Sequence, residues 1–254
     1  MSPLHFDAYG SRGAEILCIH GWACDGGQFA ALARLLEDRH RIFCPDLPGH
    51  GKTPLGDFQP GFDRFADCVV SFAREQGLES PILLGHSMGG VLAMIAAGNA
   101  SLKPRAVINL DGALPPAERT LAGQRVIRGW VDEPGFRERL AEALRQAFFL
   151  PQERDRRCDS IIRSMCAAPE AVLRFLPEQI DTLDADRILP RVTAPTLYIG
   201  AAEPRYDAGI AAVKISNFRL ESIADAGHFL HVYAPDRVAA LVGDFLGAVL
   251  RGGN

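Results

Sequence analysis

The sequence predicts an α/β fold with a mostly parallel sheet, and three observations lead to this prediction. The 254 residues are 48% hydrophobic and 23% charged, which is an ordinary globular composition. Short apolar runs alternate with helix-like segments as far as residue 112 and again from residue 195. Several of the runs lack polar alternation, as is typical of strands that are buried on both faces of a parallel sheet.

The elements follow in chain order. Residues 4–9 alternate apolar and polar side chains, as a half-buried strand does. Further strand-like runs occupy residues 15–19, 41–44, 81–84, 106–110, 195–200 and 218–223. Apolar side chains at helical spacing predict helices over residues 28–37, 62–76 and 235–250, and one from residue 87 to about 99. Such alternation predicts helices on both faces of the sheet.

The alternation stops between residues 113 and 190. Helical patterns alone cover this segment, at residues 119–131, 135–149, 154–167 and 169–180. We therefore predict a core of residues 1–112 and 191–254, with a helical cap of residues 113–190 over the carboxyl edge of the sheet. Six large side chains of the cap either line an apolar pocket or pack the cap onto the core: Trp130, Phe136, Phe148, Phe149, Phe175 and Leu176.

A candidate nucleophile lies at residues 85–90, which read GHSMGG. An apolar strand precedes this segment and a helix of small residues follows it, which is the context of a G-x-S-x-G nucleophile elbow. Gly85 and Gly89 lack β-carbons, so the strand and the helix can approach each other closely. Ser87 is then exposed at the carboxyl end of the strand, where parallel α/β sheets bind ligands.

A serine needs a base within hydrogen-bond reach and an acid that orients the base. His228 follows a glycine in the loop after a late strand, and we predict it to be the base. Asp111, at the end of strand 106–110, is the favoured acid. Glu203, after strand 195–200, is the alternative, and Asp207 is a third candidate. His231 has a packing role, because a metal site with His228 lacks carboxylates at ligand spacing.

Acyl transfer also needs two N–H donors at the developing oxyanion. The residue after the nucleophile, Met88, provides one backbone N–H. The loop 20–22, His-Gly-Trp, provides the other through the backbone of Trp22. The Trp22 indole either contacts the substrate or packs.

Charge and composition exclude several classes of function. The net charge of −4 does not indicate the excess of positive charge that binds nucleic acid. No apolar run approaches the roughly 20 residues of a membrane span. No signal peptide is visible, and the six cysteines form no C-x-x-C pair. Residues 51–53, GKT, lack the earlier glycine of a P-loop. We expect a cytoplasmic protein with a small-molecule substrate and without cofactor, metal, nucleic-acid or membrane partners.

The motifs HGW at 20–22, PDLPGHG at 45–51, GHSMGG at 85–90 and GHF at 227–229 resemble those of the α/β-hydrolase fold superfamily, in its capped, serine-nucleophile form. The resemblance implies a mostly parallel sheet of eight strands, with the cap inserted after the sixth strand. A short N-terminal hairpin makes seven strands possible. It also implies acyl-enzyme hydrolysis, in which Ser87 attacks, His228 transfers the proton and water releases the acid.

This resemblance leads to our main hypothesis, a carboxylesterase-like serine hydrolase acting on small or medium apolar esters. Three alternatives use the same scaffold: a carbon–carbon bond hydrolase, a lactonase and a cofactor-independent dioxygenase. A further alternative is a non-enzymatic ligand receptor. The aspartate that such enzymes usually carry after strand 195–200 is missing, so the choice between Asp111 and Glu203 stays open.

Overall fold

In the computed structural model, which describes residues 3–203 and 205–251, seven strands form one sheet. The strands are β1 (Phe6–Tyr9), β2 (Ala14–Ile19), β3 (His40–Pro45), β4 (Ile82–His86), β5 (Ala106–Leu110), β6 (Thr196–Gly200) and β7 (Phe218–Ser222). Their order in the sheet is β1-β3-β2-β4-β5-β6-β7. β1 pairs with β3 in the antiparallel direction, and every other pair is parallel. This confirms the predicted α/β-hydrolase fold with a mostly parallel sheet.

Seven strands is the smaller of the two numbers that the sequence analysis allowed. Among the described residues, β1 is the one strand that precedes β2. The turn that follows β1 has positive φ at Gly10 (70°) and Gly13 (82°) and leads directly into β2. With one strand fewer at this edge, β5 takes the place of the sixth strand in an eight-stranded sheet. The helical insertion accordingly follows β5.

The described residues contain eleven α-helices. Three lie in the N-terminal half: α1 (Ala30–Leu36), α2 (Phe62–Glu75) and α3 (Met88–Ala97). Five lie in the insertion between β5 and β6: α4 (Glu118–Trp130), α5 (Phe136–Phe148), α6 (Arg156–Cys166), α7 (Glu170–Gln179) and α8 (Ala185–Ile188). The last three are α9 (Ala208–Lys214), α10 (Leu230–Tyr233) and α11 (Pro235–Arg251).

Two apolar layers cover the sheet because successive strand side chains point to opposite faces. In β2, Leu17 and Ile19 join the cluster on the face of α2 and α3, while Ile16 and Cys18 join the cluster on the other face. α1 and α11 pack against each other on that second face. The central strands are buried on both faces, which explains why their sequences are continuous apolar runs.

The four long helices of the insertion match their predicted ranges to within two residues. Their amphipathic faces explain this agreement. In α6, for example, Cys158, Ile161, Ile162 and Met165 are buried at helical spacing. The sequence analysis missed α8, α9 and α10, which have four to seven residues. Helices of about two turns or fewer are too short to display a 3.6-residue period.

A search of the described helices for one long and apolar enough to cross a membrane finds none.

Candidate active site

Ser87 lies at the sharp turn between β4 and α3. Its backbone has φ 55° and ψ −120°, a strained conformation for a residue with a β-carbon. The Ser87 N–H donates to Leu110 O at 2.9 Å, which ties the turn to the end of β5. A β-carbon on Gly85 would lie 2.1 Å from Gly89 O, and one on Gly89 would lie 1.9 Å from Ile19 O. A side chain at either position would overlap backbone atoms, so both positions require glycine.

His228 and Asp111 meet at the same edge of the sheet. His228 follows β7, and its Nδ1 lies 2.7 Å from Asp111 Oδ2. Both side chains are buried. Asp111 directly follows β5 with a left-handed φ of 52°. Its Oδ1 accepts the Ala201 N–H at 3.2 Å and the Tyr198 hydroxyl at 3.4 Å. These contacts hold the carboxylate against the imidazole.

The electrostatics keep the imidazole uncharged near neutral pH. Burial, aided by the nearby Arg205 guanidinium, holds the pKa of His228 well below its usual value. Burial also raises the pKa of Asp111 to about 7, although Arg205 acts in the opposite direction. When the Nδ1–H donates to Asp111, Nε2 is left as a proton acceptor. The pair has the arrangement of a general base and its orienting acid.

Ser87 and His228 line the same cavity. Among the described residues, no hydrogen bond joins the Ser87 hydroxyl to the imidazole. Catalytic hydrogen bonds are often long before the substrate binds, so the shared cavity is the relevant observation.

The other acids proposed from the sequence lie away from His228. The Glu203 side chain is 70% exposed and forms an ion pair with Arg119, which lowers the pKa of Glu203. Asp207 is exposed, and its Oδ1 accepts the Ile210 N–H at 3.4 Å near the start of α9. The structure therefore brings Asp111 to the histidine and leaves Glu203 at the surface.

Two backbone N–H groups near Ser87 are without a partner. Neither the Trp22 N–H nor the Met88 N–H has an acceptor within the part of the chain that the structure describes. The Met88 N–H is free because it opens α3, and the first N–H groups of a helix have no acceptor inside the helix. Gly21 lies so close to the elbow that a β-carbon on it would be 3.2 Å from Ser87 Cβ.

The Trp22 indole connects the sheet edge to the insertion. Its Nε1–H donates to Val172 O in α7 at 2.6 Å, and the residue also lines the cavity. The indole therefore packs against the insertion, and its contact with the substrate stays a prediction.

Arg205 is a site residue that the sequence analysis missed. Its Nε lies 3.8 Å from Asp111 Oδ2, its Nη2 donates to Ala147 O, and its guanidinium stacks 4.5 Å from the ring of Phe148. The Phe148 ring in turn lies 4.5 Å from the His228 ring. No spacing pattern distinguishes an isolated arginine in a loop, so its role was not predictable from the sequence.

Glu153 is a second residue that was missed, and it ties the histidine loop to the insertion. Its buried carboxylate accepts the Gly227 N–H at 2.8 Å and the Leu150 N–H at 2.9 Å. The His228 N–H donates to Phe148 O at 2.9 Å. A β-carbon on Gly227 would lie 2.3 Å from Glu153 Oε2. In the sequence, the glycine directly before His228 was the feature that could have indicated this close contact.

His231 and His86 are buried beside the site. The His231 ring lies 4.3 Å from that of His86 and 4.9 Å from that of Phe29, so His231 packs within the core. His86 Nε2 lies 2.9 Å from His228 O. Within residues 3–203 and 205–251, no group of three His, Cys, Asp or Glu side chains is placed to hold a metal ion.

The insertion contributes much of the cavity wall. Its lining residues are Ala113, Thr120, Gln124, Phe148, Met165, Leu176, Ile180 and Leu183. The core adds the apolar residues Trp22, Cys24, Phe62, Met88, Val91 and Phe229. Of the six large side chains considered from the sequence, Phe148 and Leu176 line the cavity. Among the other four, Phe136, Phe149 and Phe175 are buried in the core cluster and Trp130 packs against it.

Residues 16–241 match the model of the alpha/beta hydrolase family. A pimeloyl-[acyl-carrier protein] methyl ester esterase of Stenotrophomonas maltophilia is 27% identical over 262 residues, which cover 97% of each chain. An esterase of Thermogutta terrifontis superposes with a TM-score of 0.82 at 24% identity, covering 97% of this chain and 93% of its own. The enol-lactonase of Burkholderia xenovorans superposes with a TM-score of 0.84 at 20% identity, covering 96% of each chain. At these identities, the two structures establish the fold.

Proposed function

Because the chain belongs to the alpha/beta hydrolase family, we propose that it is a serine hydrolase that cleaves small or medium apolar carboxylic esters. The observation that carries the proposal is the 2.7 Å contact between His228 and Asp111, at a cavity that Ser87 also lines. The esterase name of the Stenotrophomonas relative supports an ester as the bond that is cleaved.

The proposed mechanism proceeds through an acyl-enzyme. Ser87 Oγ attacks the ester carbonyl while His228 Nε2 takes its proton, and Asp111 stabilises the imidazolium that forms. The Trp22 and Met88 N–H groups donate to the oxyanion. As the tetrahedral intermediate collapses, the imidazolium returns the proton to the leaving alkoxide. Water then attacks the acyl-enzyme with the same base, which releases the carboxylic acid and restores Ser87.

We assign the substrate-binding role to the helical insertion, as a cap of residues 113–190 on a core of residues 1–112 and 191–254. Two observations support this role. The insertion contributes much of the wall of the cavity, and it contacts the histidine loop through the hydrogen bond from Gly227 to Glu153.

Hydrolysis of short-chain aryl esters tests the proposal. Wild-type protein is expected to hydrolyse them, and Ser87→Ala should lower kcat by at least about 10⁴-fold, since the covalent route is lost. Ser101→Ala, at an exposed serine, is the control that should keep full activity. Equal rates for wild type and Ser87→Ala would refute the serine mechanism.

A second candidate, cofactor-independent oxygenation of an aromatic ring, is favoured by the position of the acid. Asp111 follows β5, an arrangement that some dioxygenases resembling this fold share. In that case a hydroxyquinolone-like substrate would cause oxygen uptake that survives Ser87→Ala and is lost in His228→Ala. Ester hydrolysis without oxygen uptake would exclude this candidate.

A further inference from the structure

α4 presents a polar residue to the apolar cavity. The buried residues of this helix are Thr120, Gln124 and Ile127, which lie at helical spacing on one face. Gln124 is 6% exposed and lines the cavity, at a position where an amphipathic helix normally places an apolar side chain.

The amide of Gln124 has unsatisfied hydrogen-bonding capacity. Its Oε1 is buried without a donor, and its Nε2 makes no hydrogen bond to any described residue. The neighbouring polar residue, Thr120, differs in this respect, because its hydroxyl donates to Arg205 O at 3.0 Å. Exchanging Oε1 and Nε2 would still leave one donor and one acceptor to satisfy. Buried polar groups without partners are rare, so this one requires an explanation.

Two other unpartnered atoms of the cavity belong to its reacting end. His86 Nδ1 lies beside the elbow, where a β-carbon on Gly21 would be 3.1 Å from it. Arg205 Nε faces Asp111. Gln124 lies on α4 in the insertion instead and is not one of the catalytic groups, so its amide is available to a substrate in the cavity.

The charges around the cavity favour a neutral partner for this amide. Arg205 faces the Asp111 carboxylate at 3.8 Å and Arg119 pairs with Glu203, so the charge of each guanidinium already has a carboxylate beside it. The carboxylate of Asp111 is likewise committed to His228, which leaves no counter-ion there for a cationic group. An unpaired charge in an apolar cavity is costly.

We propose that Gln124 is a specificity-determining residue and that the natural substrate is an ester whose acyl chain carries an uncharged amide or hydroxyl group. A primary amide fits best, because its N–H donates to Oε1 and its carbonyl accepts from Nε2. This inference rests on the proposed ester hydrolysis and deepens it by naming a class of substrate.

The test compares two series of p-nitrophenyl esters of matched length. One series has plain acyl chains of four to eight carbons, and the other has chains that end in a primary amide. For wild-type protein, we expect kcat/KM to be about tenfold higher for at least one amide-bearing ester than for its plain counterpart. Gln124→Leu should reduce this ratio to about one or below, because the amide that binds the polar group is lost.

Arg125→Leu is the matched control, since Arg125 is the next residue of α4 and lies exposed in an ion pair with Glu118. It should keep the wild-type ratio. Gln124→Met replaces Gln124→Leu if the leucine variant does not fold. An unchanged ratio in either folded Gln124 variant, or no wild-type preference at any length, would overturn the inference while ester hydrolysis stands. Failure to hydrolyse either series would instead count against the proposed function.

Discussion

The carboxyl edge of the sheet and the helical insertion contribute to the same cavity but are built in different ways. At the sheet edge, Ser87 and Asp111 have left-handed backbones, and Gly85 and Gly89 touch backbone atoms directly. In the insertion, a β-carbon on Gly123 in α4 would meet no atom within 4 Å, and the side chains that line the cavity are mostly apolar, with Thr120 and Gln124 the polar ones. Backbone contacts therefore position the reacting groups, whereas replaceable side chains shape the space for the substrate.

The largest expected effect concerns the acid at the sheet edge. Asp111→Asn should lower kcat by about 10³- to 10⁴-fold, because an amide orients His228 poorly and does not stabilise the imidazolium. Glu203→Gln should leave kcat nearly unchanged, since Glu203 pairs with Arg119 at the surface. Steady-state kinetics on an aryl ester measures both. The opposite ranking would move the role of the acid to Glu203.

Glycine substitutions test the structural difference directly. Gly89→Ala should lower the free energy of unfolding by about 3 kcal/mol or more, because its β-carbon would lie 1.9 Å from Ile19 O. Gly123→Ala in α4 is the matched control and should raise the free energy of unfolding by up to about 1 kcal/mol. Urea unfolding followed by circular dichroism gives both values. Similar effects at the two positions would contradict the contrast between the regions.

The hydrogen bond that joins the two regions gives a smaller effect. Glu153→Gln should lower the free energy of unfolding by about 1–3 kcal/mol, because one of two backbone donors loses a carboxylate acceptor. Because His228 follows Gly227, kcat should fall by more than KM changes. Glu138→Gln, on the exposed face of α5, should alter neither quantity. If Glu153→Gln changes stability alone, Glu153 has no part in positioning the histidine.

Arg205 is expected to set the acid limb of the pH profile. His228 acts as a base only when unprotonated, and its lowered pKa places the loss of kcat/KM below pH 6.5. Arg205→Met removes a positive charge that lowers the pKa of both His228 and Asp111. Their shared proton then binds at a higher pH, so the acid limb should move to higher pH. His231 and Arg119, which also lower the pKa of His228, remain in place.

The pH profile of Arg125→Met is the control for this shift, because Arg125 is exposed and forms an ion pair with Glu118. Its acid limb should coincide with that of the wild type. A downward shift in Arg205→Met would show that the guanidinium acts in some other way than through its charge.

The sequence predicted the features that arise from local chain geometry. The elbow at Ser87 and the long helices of the insertion have short-range patterns, so their positions were predictable. The choice between Asp111 and Glu203 was not, because the loops after β5 and β6 end at the same edge of the sheet and either can carry an acid. The contact of Asp111 with His228 depends on side-chain direction, which spacing does not encode.

The residues that were missed act through tertiary contacts alone. Glu153 is 74 positions from Gly227, and Arg205 meets Asp111 across two loops. In the sequence, Gln124 is not distinguished from the other polar residues of an amphipathic helix. It lines the cavity because of the way in which α4 packs on α7. Leu176 and Phe148 could not be separated from Phe175 and Phe149 as cavity residues, since all four are buried.

The hydrogen bond between the Trp22 indole and Val172 O has an optical consequence. The chain has two tryptophans, and Trp22 is 2% exposed while Trp130 is half-buried on α4. If α7 lifts from the sheet edge, the Trp22 indole becomes hydrated and its fluorescence shifts to the red. In a Trp130→Phe variant, Trp22 would be the sole tryptophan emitter, so stopped-flow fluorescence would report the opening of the cavity without an added dye.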